Sequence, residues 1–497
     1  MKRFVRQGVL VCVLGFALPL DARETWHEVR SPNFVVVSNA SAERANDVAA
    51  RMEQFRYALS TLLPGSSLVS EVPTQVYAFR DFDSFESFLP QTDDGVTPAA
   101  GYFREGPYKN VIALDLSATR TVYERIIFHE YVHLVLSLSG HDFPLWFEEG
   151  MAEFYASASL QNHVAELGIV EERHRRVLRE SELLPLADVL TSTEDWPLSA
   201  EPHESALFYA QSWSLVHYLV AGSGKRGHLL LAEYLGRLSR GDDRLSAFAL
   251  VFGQSPEAMA QTLSDYVDAG SFPHYAIEYS GADWAQGLQT TTLATADVEH
   301  RWGELFLFTG RLREASVCLE EACRLRPDFG AAWETRAIAA LMQERDEEAL
   351  GYFRRAAFET DVSPNGLYLY ARTLLRDHSG HWVGSVPAGL AIEAERALTR
   401  SLELKPAQSE TSRLLAFVYL VRGVRLDEAT RLVENALSMT PGRPSLLYLY
   451  GQILARRGDY EGAREALAQI RATANEPEML QAAAELRARL DRAERAP

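Results

Sequence analysis

Two histidines four positions apart, His129 and His133, enclose a carboxylate in the run His129-Glu130-Tyr131-Val132-His133. Helical positions four apart share a face, so both imidazoles can address one ion with Glu130 beside them. Neutral imidazoles hold zinc, and a neighbouring carboxylate can take the proton of metal-bound water. Further on, Glu149 and Glu153 are again four apart, in Pro144-Leu-Trp-Phe-Glu-Glu-Gly-Met-Ala-Glu153. Glu149 can be the third ligand. Glu153 can accept a hydrogen bond from a ligand imidazole and fix its tautomer. Three protein ligands leave one position for water, whose proton Glu130 can take and later pass to a leaving amine.

The elements must bring these groups together. From Thr121 to Leu138 the chain is apolar nearly all round, which predicts a buried helix. Gly140 suits its end and Pro144 the start of a second helix, and the short connection makes the two helices neighbours. The plainer alternative is a salt-bridged core, yet two imidazoles and two carboxylates on apolar helices are costly to bury without a purpose. Among competing groups, His141 reads as a loop histidine and Asp142 as a helix-start residue. Glu148 points about 100° away from Glu149. Upstream, residues 110–116 predict a β-strand ending before the first helix. Residues 164–269 are helical by pattern and are expected to complete this domain as the far wall of a cleft.

His129-Glu-x-x-His133 followed by Trp146-Phe-Glu-Glu149-Gly150-x-Ala-Glu153 resembles the gluzincin metallopeptidases, and among them the peptidase MA-like domains of bacteria. The likeness extends from about Glu24 to Ala269. It implies an α+β zincin-like catalytic domain, one zinc ion on His129, His133 and Glu149, and a general base at Glu130. The chain lacks the Gly-Ala-Met-Glu-Asn motif that receives a free substrate amine in aminopeptidases, so an endopeptidase is the more natural activity. Gluzincins place an edge strand beside the site, where an extended peptide can add as a further strand; the 110–116 strand is the candidate, with an ordinary strand of the sheet as the alternative. They also often place a tyrosine or histidine downstream, which makes Tyr209 in Phe208-Tyr-Ala-Gln-Ser-Trp213 a candidate oxyanion donor. A core aromatic on an amphipathic helix is the alternative for Tyr209.

The termini and composition bear on location and partners. Met1-Lys-Arg-Phe-Val-Arg6 is basic, and Val9–Leu20 is an apolar run of the length of a signal-peptide core, too short for a comfortable membrane span. The reading is an exported chain, periplasmic or secreted, with no transmembrane segment after cleavage. A net charge of −19 over 497 residues argues against nucleic acid, which needs a basic face, and against anionic membrane surfaces. Cys318 and Cys323 are badly oriented for a disulfide within one helix and read as small apolar fillers.

The C-terminal half repeats. Gly303, Ala337 and Ala371 recur at a period of 34 residues, as do Ala315 with Ala349, Leu319 with Phe353, and Ala322 with Ala356. This resembles tetratricopeptide repeats, which stack into an all-α solenoid and present a concave face to a peptide or protein. An insertion around residues 377–382 interrupts the third unit and is a candidate contact loop. His378 and His381 within it read as surface histidines. Residues 279–292 are rich in small and polar types and predict a linker.

The expected organisation is therefore a signal peptide over 1–22, a gluzincin-like metallopeptidase domain over 23–275, a linker over 276–295, about five tetratricopeptide repeats over 296–475, and a capping helix and tail over 476–497. The expected activity is zinc-dependent peptide hydrolysis, with a protein or peptide substrate and a protein partner on the repeats. The competing expectation is a catalytically weak or inactive peptidase-like scaffold acting through its repeats. Glu130 bears on the choice, because metal binding does not need it.

Overall fold

The computed structural model describes residues 24–62, 68, 73–92, 95–96, 100–106, 109–138, 142–161, 163–193, 201–279, 284–376, 386–440, 442–473 and 477–495. The expected signal peptide, His141, and the insertion with His378 and His381 lie outside the described residues. The chain divides into two compact units. The first comprises Met1–Glu86, Ala100–Glu105 and Asn110–Leu293; the second comprises Ser87–Ala99, Gly106–Lys109 and Ala294–Pro497.

In chain order, the first half runs through β1 (His27–Arg30), β2 (Phe34–Ser38), α1 (Ala42–Leu62), β3 (Thr74–Phe79), α2 (Phe82–Glu86), β4 (Gln91–Thr92), β5 (Gly95–Val96), β6 (Gly101–Arg104), β7 (Asn110–Asp115), α3 (Arg120–Ser137) and α4 (Leu145–Ala156). It continues with β8 (Ser159–Leu160), β9 (Val164–Leu167), α5 (Glu172–Glu180), α6 (Leu186–Thr191), α7 (Pro202–His217), a π turn (Tyr218–Gly222), α8 (Gly224–Leu238), α9 (Arg244–Phe252), α10 (Pro256–Ala269), β10 (Tyr275–Glu278) and β11 (Gln289–Thr292).

A six-stranded mixed sheet in the order β11-β1-β2-β3-β7-β6 organises the first unit. Its centre, β2-β3-β7, is parallel, while β6, β1 and β11 pair antiparallel. Strands buried on both faces read as near-continuous apolar runs, and every residue of β3 and β7 is buried. Helices α1 and α3 meet through Phe55 stacked on Phe128, with ring centroids 4.1 Å apart.

Of the two readings of residues 110–116 the ordinary sheet strand is the one found, and the linker expectation is corrected. The predicted strand at 110–116 is β7, and it lies inside the sheet between β3 and β6. The edge strand beside β7 is β6, only four residues long and starting on a glycine, too short to announce itself. The segment 276–295 is not a plain linker: it contributes most of β10 and all of β11. β11 pairs along β1, with His27 opposite Thr292. Its residues are exposed on both faces, so an edge position asks for no apolar residues, and its threonines suit a strand.

The second unit is helical. Its helices are α11 (Thr295–Phe308), α12 (Leu312–Leu325), α13 (Gly330–Met342), α14 (Asp346–Ala356), α15 (Pro364–Leu374), α16 (Ala388–Leu404), α17 (Ser409–Arg422), α18 (Leu426–Met439), α19 (Pro444–Arg457), α20 (Tyr460–Thr473) and α21 (Pro477–Arg495). Among the described residues they form five antiparallel pairs followed by α21. The repeated small positions sit where paired helices touch. A Cβ on Gly303 would stand 2.6 Å from Leu319 Cγ, and Ala315, Ala337, Ala349 and Ala371 are fully buried. The short segment Gly106–Lys109 belongs to this unit: Lys109 Nζ lies 2.5 Å from Glu304 Oε1 on α11. Cys318 and Cys323 are both buried thiols on α12. Among the described residues, no helix is long and apolar enough to cross a membrane.

Candidate metal centre

Helix α3 carries His129 and His133 on one face, and α4 lies beside it with Glu149 and Glu153 turned towards them. Gly150 sets the seat of α4. A Cβ there would stand 2.5 Å from the Ser212 carbonyl of α7, so only glycine lets the two helices approach this closely. Gly101 does the same on the other side, where a Cβ would stand 2.5 Å from Ile126 Cγ2. Edge strand β6 thereby rests directly on α3.

The structure brings the three expected ligand groups together. His129 Nε2 and His133 Nε2 are 3.1 Å apart, and Glu149 Oε2 lies 3.3 Å from the first and 3.7 Å from the second. Ligand atoms around a tetrahedral zinc are about 3.3 Å apart at the usual bond lengths. Glu149 Oε2 is buried and has no well-formed hydrogen bond. A buried carboxylate oxygen without a donor is expensive, and it converges with two ring nitrogens 3.1 Å apart on one point. A dication at this point answers all three atoms, so the residues present fit zinc.

Glu153 stands behind the ligands. Its Oε1 lies 3.4 Å from His129 Nδ1. Its other oxygen is held by His174 Nε2 of α5 at 2.8 Å and by Arg125 at 2.7 Å, and Arg125 also reaches Glu171 at 2.9 Å. Arg125 was legible in principle, four residues before His129 on the same helix face. His174 carried no sequence signal, and neither residue was singled out.

The electrostatics follow from this packing. Burial pushes His133 down to about 4, leaving it neutral and ready to bind a metal. Burial also disfavours charge on His129, but the Glu149 and Glu153 carboxylates outweigh it and hold its pKa well above the ordinary value. Burial would raise Glu153, yet His129 and His174 keep its carboxyl well below the usual range. Burial raises Glu149 as well, and His129 and His133 reverse the shift to a net lowering. Glu130 is raised to about 7, first by burial, with the His129 charge and the Phe103 backbone N–H of β6 acting against it. Tyr209 on α7 is half-buried, and its hydroxyl pKa is raised by burial and then by Glu149, Glu153 and Glu130. Its phenol therefore lies within electrostatic reach of the triad. Glu148 falls outside the triad, and Asp142 is exposed before α4.

Comparison with known proteins separates the two units. Tetratricopeptide-repeat families match residues 300–364 and 425–486, and the C-terminal region carries these repeats. A family described as a protein of unknown function, DUF1570, matches residues 125–241, from the histidine helix past α8. No curated protein matches. Solved structures similar to this chain include YrrB, a TPR protein with an unusual peptide-binding site (18% identity, 38% of this chain and 92% of that one, TM-score 0.34). Others are pilF of Pseudomonas aeruginosa (18% identity, 41% and 93%, TM-score 0.29) and the type IV pilus biogenesis factor PilW (15% identity, 41% and 96%, TM-score 0.30). Tetratricopeptide-repeat proteins bind protein partners, and the repeats point to protein–protein interaction.

Proposed function

We propose that the first unit is a zinc-dependent peptidase of the gluzincin type with a zincin-like fold, cutting within exported or envelope proteins, and that the repeats hold its substrate or a controlling partner. The observation that carries this reading is the convergence of His129, His133 and Glu149, whose ligand atoms all lie within 4.8 Å of one another. Bound zinc would polarise a scissile carbonyl and make a water acidic near neutrality. Glu130 is placed to take a proton from that water and return it to the leaving amine. Its raised pKa reflects burial, opposed by the charge of His129. Glu153 fixes the ring of His129, and Arg125 and His174 fix Glu153. Tyr209 is the candidate to donate a hydrogen bond to a developing oxyanion. Among the described residues, β6 has one unpaired edge beside α3, which suits an extended peptide added as a strand. The basic, then apolar, N-terminal twenty residues support export.

The test compares wild type with Glu130→Gln. Zinc is measured by elemental analysis and cleavage on a mixed peptide library. Zinc in both proteins with cleavage only by wild type supports the peptidase. Stoichiometric zinc without wild-type cleavage across substrates and partners favours the scaffold reading. Absence of zinc from carefully purified wild type sinks the ligand assignment.

A further inference from the structure

Helix α4 has a second working face. Phe147, Met151 and Tyr155 recur every four residues, on the side opposite Glu149 and Glu153. They line an apolar cavity of about 280 Å³ together with Leu231 and Leu235 of α8. An apolar cavity of about 150 Å³ accommodates benzene, so the 280 Å³ here has room for roughly ten aliphatic carbons.

One end of this cavity is polar, and an irregular backbone makes it so. Residues Tyr218–Gly222 form a single π turn, closed by Ser223 N–H donating to the Tyr218 carbonyl at 2.7 Å. Such turns interrupt the α-helical ladder and often sit at functional sites. Here the Val220 carbonyl accepts the Tyr275 hydroxyl at 2.7 Å, and His228 Nε2 contacts both that carbonyl and, at 3.1 Å, the hydroxyl. His228 and Tyr275 also line an adjoining cavity of about 450 Å³, which includes Lys225 and His274. His274 faces Glu166 at 3.5 Å. Lys225 has no ion-pair partner among the described residues, so it is the cation left for a ligand.

We propose that these two neighbouring cavities, which share His228 and Tyr275 in their walls, together bind a medium-chain aliphatic carboxylate. The chain fills the space between α4 and α8, the carboxylate meets Lys225, and His228 and Tyr275 form the wall common to both cavities. This site uses none of the metal-binding groups, so it stands or falls independently of the peptidase reading.

Calorimetric titration of decanoate into the full chain tests it. Wild type is expected to bind one decanoate saturably. Ala232→Trp, which introduces a large side chain from the exposed rim of the cavity, is expected to abolish binding while leaving zinc content and helicity unchanged. Lys225→Ala is expected to weaken decanoate about fivefold, the upper end for an exposed ion pair, and to leave decanol unaffected. Lack of saturable binding by folded wild type overturns the proposal, as does binding that Ala232→Trp does not change. Equal affinity of wild type for decanol and decanoate overturns the carboxylate part. Tighter binding of a short peptide ending in leucine reassigns the site to peptide C-termini and overturns it as stated.

Discussion

The first unit sets His129 and His133 four residues apart on one buried helix, and the second unit sets His300 and Glu304 four apart on another. The two clusters are finished differently. Glu304 is met by Lys109 Nζ at 2.5 Å and by Arg301 at 2.7 Å, and His300 Nε2 lies 2.9 Å from the Thr335 hydroxyl. Burial drives His300 down to about 3, while Lys109, His300 and Arg301 overcome burial to hold Glu304 far below the carboxylate range. That cluster supplies its own cations and is closed. The cluster in the first unit has its nearest guanidinium, Arg125, spent on Glu153 and Glu171. Glu149 faces two imidazoles, and among the described residues no Lys or Arg pairs with it. Similar residue types thus build an ion-paired strut in one unit and a convergent His-His-Glu cluster without a Lys or Arg in the other. The difference lies in whether the chain provides the counter-charge.

That contrast can be broken from either side. The largest effect is expected from Glu149→Ala, which removes the anionic ligand: zinc affinity should fall by more than about 100-fold, beyond what loss of a supporting group causes, as read by competition with a chromophoric chelator. Undiminished affinity would hand the third position to another carboxylate, with Glu148 the first to examine. Next comes Lys109→Met, which strands Glu304 with Arg301 alone. Breaking a buried pair is expected to destabilise the repeats by about 3 kcal/mol, measured by urea denaturation. Lys109→Met with Glu304→Leu should recover part of the loss, because both partners of the buried pair are then gone while Arg301 loses its contact to Glu304. Failure of the double variant to recover would mean that the pair does more than neutralise itself.

Acid supplies a third test. The pKa of His300 is depressed in the fold, so the unfolded chain takes up its proton first as pH falls. The corresponding stability is present above about pH 6.5 and is lost between there and about pH 3. At pH 5 the loss is about 2 kcal/mol relative to neutrality. His300→Asn should lack that increment when urea transitions at pH 7 and pH 5 are compared. A wild-type slope equal to the variant's would show that His300 titrates normally. The smallest effect is expected from Glu153→Gln, which keeps the shape behind His129 but weakens the acceptor: zinc affinity should drop about tenfold, and no change at all would reduce Glu153 to a partner of Arg125 and His174.

What the sequence disclosed depended on how local the information was. The four-residue spacings of His129 with His133 and Glu149 with Glu153 specify a shared helix face, so the site was readable without knowing the sheet. The small residues of the repeats were readable for the same reason, since each helix packs against its immediate neighbour. Contacts made across long stretches of chain left no comparable trace. Lys109 carries no local mark that it will meet Glu304, and His174 none that it will meet Glu153. Strand β6 is four residues with one glycine, and β11 is polar throughout, so neither shows the alternation by which half-buried strands are recognised. The interior strand β7, apolar along its length, drew the edge-strand role instead.

The pairing of β1 with β11 has a consequence for biogenesis. His27 leaves the ribosome early, but its partner Thr292 is made only after nearly all of the first unit has been translated. The sheet therefore cannot be completed as the chain emerges, and its contact order is high, which slows folding. Until β11 arrives, the outer edge of β1 offers unpaired peptide groups to any passing strand. Truncation before residue 289 should therefore yield an aggregation-prone product even though every proposed metal ligand is present.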